Sequence, residues 1–172
     1  MIDRGVEGEE WIKYSRNEAL GEEAIIPARF QIFDGKASWL DGEGKKVSID
    51  NLSETNDHTA LNVALEMPYA LSMLDQAWAD WVAHKDQVYP EAKLLVVAPN
   101  IGVAKRYQSH LAGRQYDCGI ATSEEASEAL KEIKRFRNGG RDCLVTVGMA
   151  YEGLNAPKTT HLIILTPIRS RP

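Results

Sequence analysis

Two short apolar runs near the C-terminus, Cys143-Leu144-Val145-Thr146-Val147 and Leu162-Ile163-Ile164-Leu165, flank a polar segment, 149–159, punctuated by glycine and proline. Runs of four or five apolar or β-branched residues closed by Gly and Pro read as strands buried on both faces. The same rhythm extends upstream. A strand over 94–98 ends at Pro99-Asn100, a helix from about Gly102 to Leu111 follows, and a strand over 116–120 ends at Ala121-Thr122-Ser123. Thr122 and Glu125, three residues apart, predict a capping box. The helix it opens runs through Ala126, Leu130, Ile133 and Phe136, and Asn138-Gly139-Gly140 stops it. Four strands alternating with helices predict a parallel, doubly wound α/β sheet. Ligands of such sheets sit beyond the carboxyl ends of the strands.

The first third reads differently. Asn17 to Leu20 suits a short helical stretch that Gly21 interrupts. Segments 29–33 and 36–40 flank Asp34-Gly35, and a second turn at Asp41-Gly42-Glu43-Gly44 leads into 45–49. Both turns carry hairpin chemistry, so residues 29–49 predict a small antiparallel meander. The polar stretch 50–58 reads as a linker or boundary, with His58 a solvated loop histidine in it, and the chain is divided into a connector (1–57) and the α/β domain (58–172). From Leu61 to Val82 apolar residues recur at three- and four-residue spacings, one face of a helix that Pro68 either kinks or restarts. Trp78 and Trp81, at i,i+3 on that face, read as core packing rather than as a base-stacking platform.

The chain has 172 residues, 44% of them hydrophobic, which allows one well-buried core and a smaller appendage. No apolar run approaches a transmembrane length, and the acidic start MIDRGVEGEE lacks signal-peptide features. A cytoplasmic protein without membrane contact is expected. The two cysteines, Cys118 and Cys143, form no CxxC and predict no metal site. Net charge is -5, but residues 1–90 carry 8 basic and 17 acidic side chains, while residues 91–172 carry 12 and 8. The second half therefore has the better electrostatics for phosphate, through a modest excess. Its basic run Lys131, Lys134, Arg135, Arg137, Arg141 reads first as a solvated helix face.

Phosphoryl chemistry is poorly provided for. No GxxxxGK[ST] cradle is present, Gly139-Gly140 and Asp41–Lys45 are turns without a following helix, and no strand ends in Asp-Glu. His84, His110 and His161 have no evident catalytic partners in the sequence. No catalytic residue is therefore assigned.

Thr146, then Gly153-Leu154-Asn155-x-Pro157, then Arg169-Ser170-x-Pro172, resembles motif V of a superfamily 2 helicase and the strand leading towards motif VI. The closest similarity is to the DEAD/DEAH-like and type III restriction-like branch. With VVAPN and FRNGG upstream, the resemblance covers about residues 90–172. A looser phrase, EAL…AIIP…F…DG…W, resembles the inter-lobe connector of that branch. The resemblance implies a RecA-like parallel sheet with flanking helices, preceded by a small helical and β-hairpin connector. It implies the second lobe of a nucleic-acid-dependent ATPase, ending before the motif VI arginines.

Residue by residue, Thr146 takes the place of the motif V threonine, whose hydroxyl and backbone face strand phosphates. Gly153 and Asn155 are the nucleotide-coupling positions, Asn155 standing where the family carries Asp. Pro99 and Asn100, with Lys105-Arg106 downstream, resemble motif IV, and Thr122 and Ser123 point the same way as phosphate contacts or as simple helix caps. Tyr151 suits either base stacking or packing. ATP and Mg would bind only with the first lobe present, in cis or in trans, and the strand partner would be DNA, or RNA. The chain would not be catalytic alone. The alternative is a non-enzymatic remnant lobe acting as a protein-interaction domain. A small-ligand α/β enzyme is the third class, and it lacks a Gly-rich loop after its first strand.

Overall fold

The computed structural model describes residues 15–22, 29–31, 35–52, 58–66, 68–147 and 155–167. The chain divides into two compact units, Met1–Ile32 and Phe33–Pro172. In the first, α1 (Arg16–Gly21) opens on a complete capping box: Glu18 N–H donates to Ser15 Oγ at 3.2 Å, and Ser15 N–H donates to the Glu18 carboxylate at 2.6 Å. Those hydrogen bonds, the backbone one foremost, hold the Glu18 carboxyl below its usual value.

The second unit begins with an antiparallel hairpin, β1 (Ala37–Leu40) and β2 (Lys46–Ile49), in the register Ala37↔Ile49 to Leu40↔Lys46. Its turn is held by the Asp41 carboxylate, which accepts from the N–H groups of Glu43 and Lys45, with Gly44 at φ +78°. The expected meander is thus reduced to two strands. Arg29 to Gln31 form no strand, and Asp34 of the first expected turn lies outside the described residues. Gly35 accepts from Leu52 N–H, which ties the two ends of the hairpin segment together. Ala37 and Leu52 are buried with Ala60 and Ala64 of α2 (His58–Glu66), so the hairpin has its own small core. The polar break at 50–58 lies within this unit, and its last residue, His58, begins α2 rather than standing in a loop.

Pro68 opens a new helix, α3 (Pro68–Gln87), where its fixed φ and missing N–H cost nothing. Then follow β3 (Lys93–Ala98), α4 (Ile101–Leu111), β4 (Cys118–Ala121), a single 3-10 turn (Ser123–Glu125), α5 (Ala126–Arg137), β5 (Cys143–Val147) and β6 (Thr159–Ile164). The four strands form one wholly parallel sheet in the order β4-β5-β3-β6. From β3 the chain crosses past β5 to β4, then returns to β5. Right-handed crossovers in opposite directions place their helices on opposite faces.

The core shows that alternation. Leu94, Val96 and Ala98 are buried with Leu74, Trp78 and Trp81 of α3 and with Val103, Ala104, Tyr107 and Leu111 of α4. Leu95 and Leu144 face the other way and are buried with Ala121 and Phe136 of α5. Tyr107 donates its hydroxyl to the Leu65 carbonyl at 2.7 Å, joining α4 to α2. Desolvation pushes the Tyr107 phenol well above its ordinary value. Trp78 and Trp81 meet edge to face at 4.9 Å within this core, as their spacing predicts.

Two lysines are built into the amino end of the sheet. Lys85 is 6% exposed, and its Nζ donates to the carbonyls of Pro90 and Ala92 and pairs with Asp142 at 3.0 Å. Lys93 is 3% exposed, donates to the Arg141 carbonyl at 2.6 Å and lies over the Phe136 ring. Desolvation pulls the Lys93 amine below its usual value, with Asp142 opposing.

On β6, His161 stands against His84 with ring centroids 5.3 Å apart. Burial first, and His84 second, hold His161 below the ordinary histidine value of 6.5. The unfolded chain then binds that proton more readily than the folded one. The contribution is fully present above the unfolded value and is lost as pH falls through the lower folded value. Melting temperature should therefore drop on going from about pH 7.5 to about pH 5. The drop should be smaller in His161→Gln, as thermal unfolding across that range will register.

Candidate functional site

The carboxyl ends of β3, β4 and β5 lie along one edge of the sheet. Beyond β3 stand Pro99 and Asn100; beyond β4, two strand positions away, stand Thr122 and Ser123. Asn100 is the extended N-cap of α4 (φ -155°, ψ 171°), and its side-chain oxygen accepts from Val103 N–H at 2.9 Å. The first N–H groups of this 11-residue helix have no intrahelical acceptor, and Gly102 puts no side chain in front of them. A Cβ at Gly102 would meet only the Asn100 side chain, at 3.4 Å. This is the geometry of an anion-receptive helix start.

The β4 end differs from expectation. Thr122 makes no side-chain cap bond, because the residues after it wind into a 3-10 turn and Glu125 becomes the boundary residue of α5. The expected Thr122–Glu125 capping box is therefore not formed. Thr122 is half-buried and Ser123 exposed. Together with Glu124, Glu125 and Glu128, Thr122 lines an open groove of about 360 Å³. Lys105 pairs with Glu124 at 2.5 Å and Lys131 with Glu128, which leaves the exposed Glu125 without a salt bridge among the described residues. An anion is thus favoured at α4 and opposed beside Ser123.

Thr146 also departs from its expected role. It is 1% exposed, and its hydroxyl donates to the Ala121 carbonyl at 3.0 Å. The hydroxyl fastens β5 to β4 instead of facing phosphate, since a threonine inside a central strand has no route to solvent. Thr146→Val should cost about 1 kcal/mol in urea unfolding, the ordinary worth of one such bond.

Asn155 is exposed, but the turn after it, where Thr159 N–H donates to Ala156, delivers the chain to the amino end of β6. It is not gathered with Asn100 and Thr122. Gly153, Tyr151 and Arg169 lie outside the described residues.

Three of the five side chains in the basic run, Lys131, Arg135 and Arg141, are paired with carboxylates. Lys131 pairs with Glu128, Arg135 with Glu132, and Arg141 with Glu132 and Asp117. Arg106, exposed on α4 one turn beyond Gly102, has no salt bridge among the described residues.

His110 does have partners. Its Nε2 meets Asp75 Oδ1 at 2.7 Å, and Arg114 meets the same oxygen at 2.5 Å while covering Trp78. Burial pushes the Asp75 carboxyl up, but the hydrogen bonds from Arg114 and His110 outweigh it and hold the group below its usual value. Separations of 35 and 39 residues hid this cluster from sequence reading. It fastens α3 to the end of α4.

Among the described residues, no three His, Cys, Asp or Glu side chains are grouped to hold a metal ion, and no helix is long and apolar enough to cross a membrane. The chain matches no protein-family model and no curated protein sequence.

Proposed function

We propose that this chain is a RecA-like second lobe of a superfamily 2 nucleic-acid-dependent ATPase, and that it grips strand phosphates with the carboxyl edge of its sheet. The observation that carries the reading is the Asn100-capped start of α4 at that edge, with Gly102 leaving its amides open and Arg106 one turn away. Backbone amides at a helix start and an unpaired guanidinium recognise a phosphate chain without reading bases. The residues present do not fit an ATP–magnesium site by themselves, having neither a phosphate cradle in the sequence nor a cation-holding cluster among the described residues. Nucleotide chemistry belongs to the first lobe of this proposal, and the chain is not catalytic alone. A cytoplasmic setting and DNA, or RNA, as partner go with the same reading.

Fluorescence anisotropy of labelled single- and double-stranded DNA and RNA tests it. Binding should weaken steeply with salt. Arg106→Glu should weaken it about tenfold for every sequence alike. Binding unchanged in Arg106→Glu, or insensitive to salt, would remove the strand-gripping role.

A second reading, a protein-interaction domain, is favoured by β6. This edge strand carries no charged residue, and Leu162 and Ile164 are 55% and 61% exposed. An uncharged edge with apolar side chains lacks the usual protection against strand pairing. Leu162→Lys should abolish association by this edge and leave nucleic-acid binding intact.

A further inference from the structure

Cys118 and Cys143 are direct partners in the β4–β5 ladder, one at the start of each strand. Both are free thiols, buried, with the two sulfurs 3.0 Å apart. Neighbouring parallel strands run about 4.8 Å apart, inside the Cα separation a disulfide accepts. That strand spacing is compatible with a disulfide, and the sulfurs have to close from 3.0 Å to about 2.0 Å. Access is one-sided: Cys118 lines the groove between α4 and α5, beside Gly119, Lys105 and Arg141, whereas Cys143 is wholly enclosed.

We propose that this pair is a two-electron oxidation site that takes a small peroxide through the groove and closes to a disulfide within the sheet. The Cys118 thiolate attacks one oxygen of hydrogen peroxide. An S–O bond forms, the O–O bond breaks, and the departing hydroxide takes up a proton as water, leaving a sulfenic acid. The Cys143 sulfur then attacks Cys118 Sγ. The S–S bond forms, the S–O bond breaks, and hydroxide leaves with the Cys143 proton as a second water. Two thiols and one peroxide thus give one disulfide and two waters. Burial pushes the Cys143 thiol up, which counts against a first attack on a solute by Cys143, and its contact with Cys118 Sγ is what places it for the second step.

The test uses the full chain. It is treated with hydrogen peroxide, alkylated, and digested with trypsin without reduction. Cleavage after Arg114, Lys131, Arg141 and Lys158 leaves the two cysteines on separate peptides, 115–131 and 142–158. The expected product is those two peptides joined, with the intact mass lower by two hydrogens. Both thiols should be lost to alkylation in denaturant and recovered with a dithiol reductant. The rate should not depend on protein concentration. The melting temperature should rise by roughly 5–10 °C, because the bond closes a long loop of the unfolded chain.

In Cys143→Ala the sulfenic acid on Cys118 should persist and be captured by a 1,3-dione, which wild type suppresses. Thiols that stay free at peroxide concentrations consuming free cysteine would overturn the proposal. So would oxygen-adding oxidation without the joined peptides, or linkage between two chains. If Cys143→Ala does not fold, the peptide map of the wild-type chain still decides.

Discussion

Trp81→Ala is expected to lower the unfolding free energy by about 3–5 kcal/mol, the usual cost of deleting a fully buried large aromatic side chain. Trp81 has no exposed surface and lies where α3 meets the sheet. It packs edge to face against Trp78 at 4.9 Å and Tyr116 at 5.3 Å, so its removal opens a cavity bounded by rings that cannot collapse into it. One feature works in the opposite direction: the buried indole N–H has no hydrogen-bond acceptor among the described residues. Trp81→Phe removes that unmet donor while keeping most of the ring volume. It should cost about 1–2 kcal/mol, well below alanine. Urea unfolding with an unchanged slope will separate these values. A phenylalanine variant as unstable as alanine would mean the indole nitrogen is satisfied after all.

Lys85→Ala should be nearly as damaging, at about 3 kcal/mol. Its ammonium satisfies the Pro90 and Ala92 carbonyls at 2.6 and 3.2 Å and neutralises Asp142, while the rings of Tyr116 and Trp81 lie alongside. Removing it leaves the carbonyls without their donor and Asp142, only partly open to solvent, without its counter-ion. Asp142→Asn, made in the Lys85→Ala background, should then cost less than in wild type, because no ion pair remains to lose. A double-mutant cycle reads that difference directly. Equal costs in the two backgrounds would show that Lys85 acts through the carbonyls and rings alone.

The carboxyl edge was legible in outline because the features that mark it are local. Pro99-Asn100 after an apolar run announces the end of a strand and a helix cap, and the structure has both. Asn138-Gly139-Gly140 likewise announces a helix end, and Gly139 adopts φ +92° there. Thr122–Glu125 shows the limit of such reasoning. Its spacing matches a capping box, but the residues wind as a 3-10 turn, in which that bonding pattern does not form. The hydroxyl of Thr146 shows another limit, for its acceptor is a carbonyl 25 residues away on the neighbouring strand.

What the sequence by itself determined is the set of elements and their alternation, because helix and strand periodicity, caps and glycine turns are recorded within a few residues of where they act. The parallel α/β character follows from that alternation. The tertiary structure alone decided that β4 and β6 are the sheet's edges and that Lys85 and Lys93 are interior groups. It alone brought His110 to Asp75, and Cys118 opposite Cys143. The two contacts join residues 35 and 25 positions apart, far beyond the reach of any local pattern, and only the folded sheet brings such partners within bonding distance.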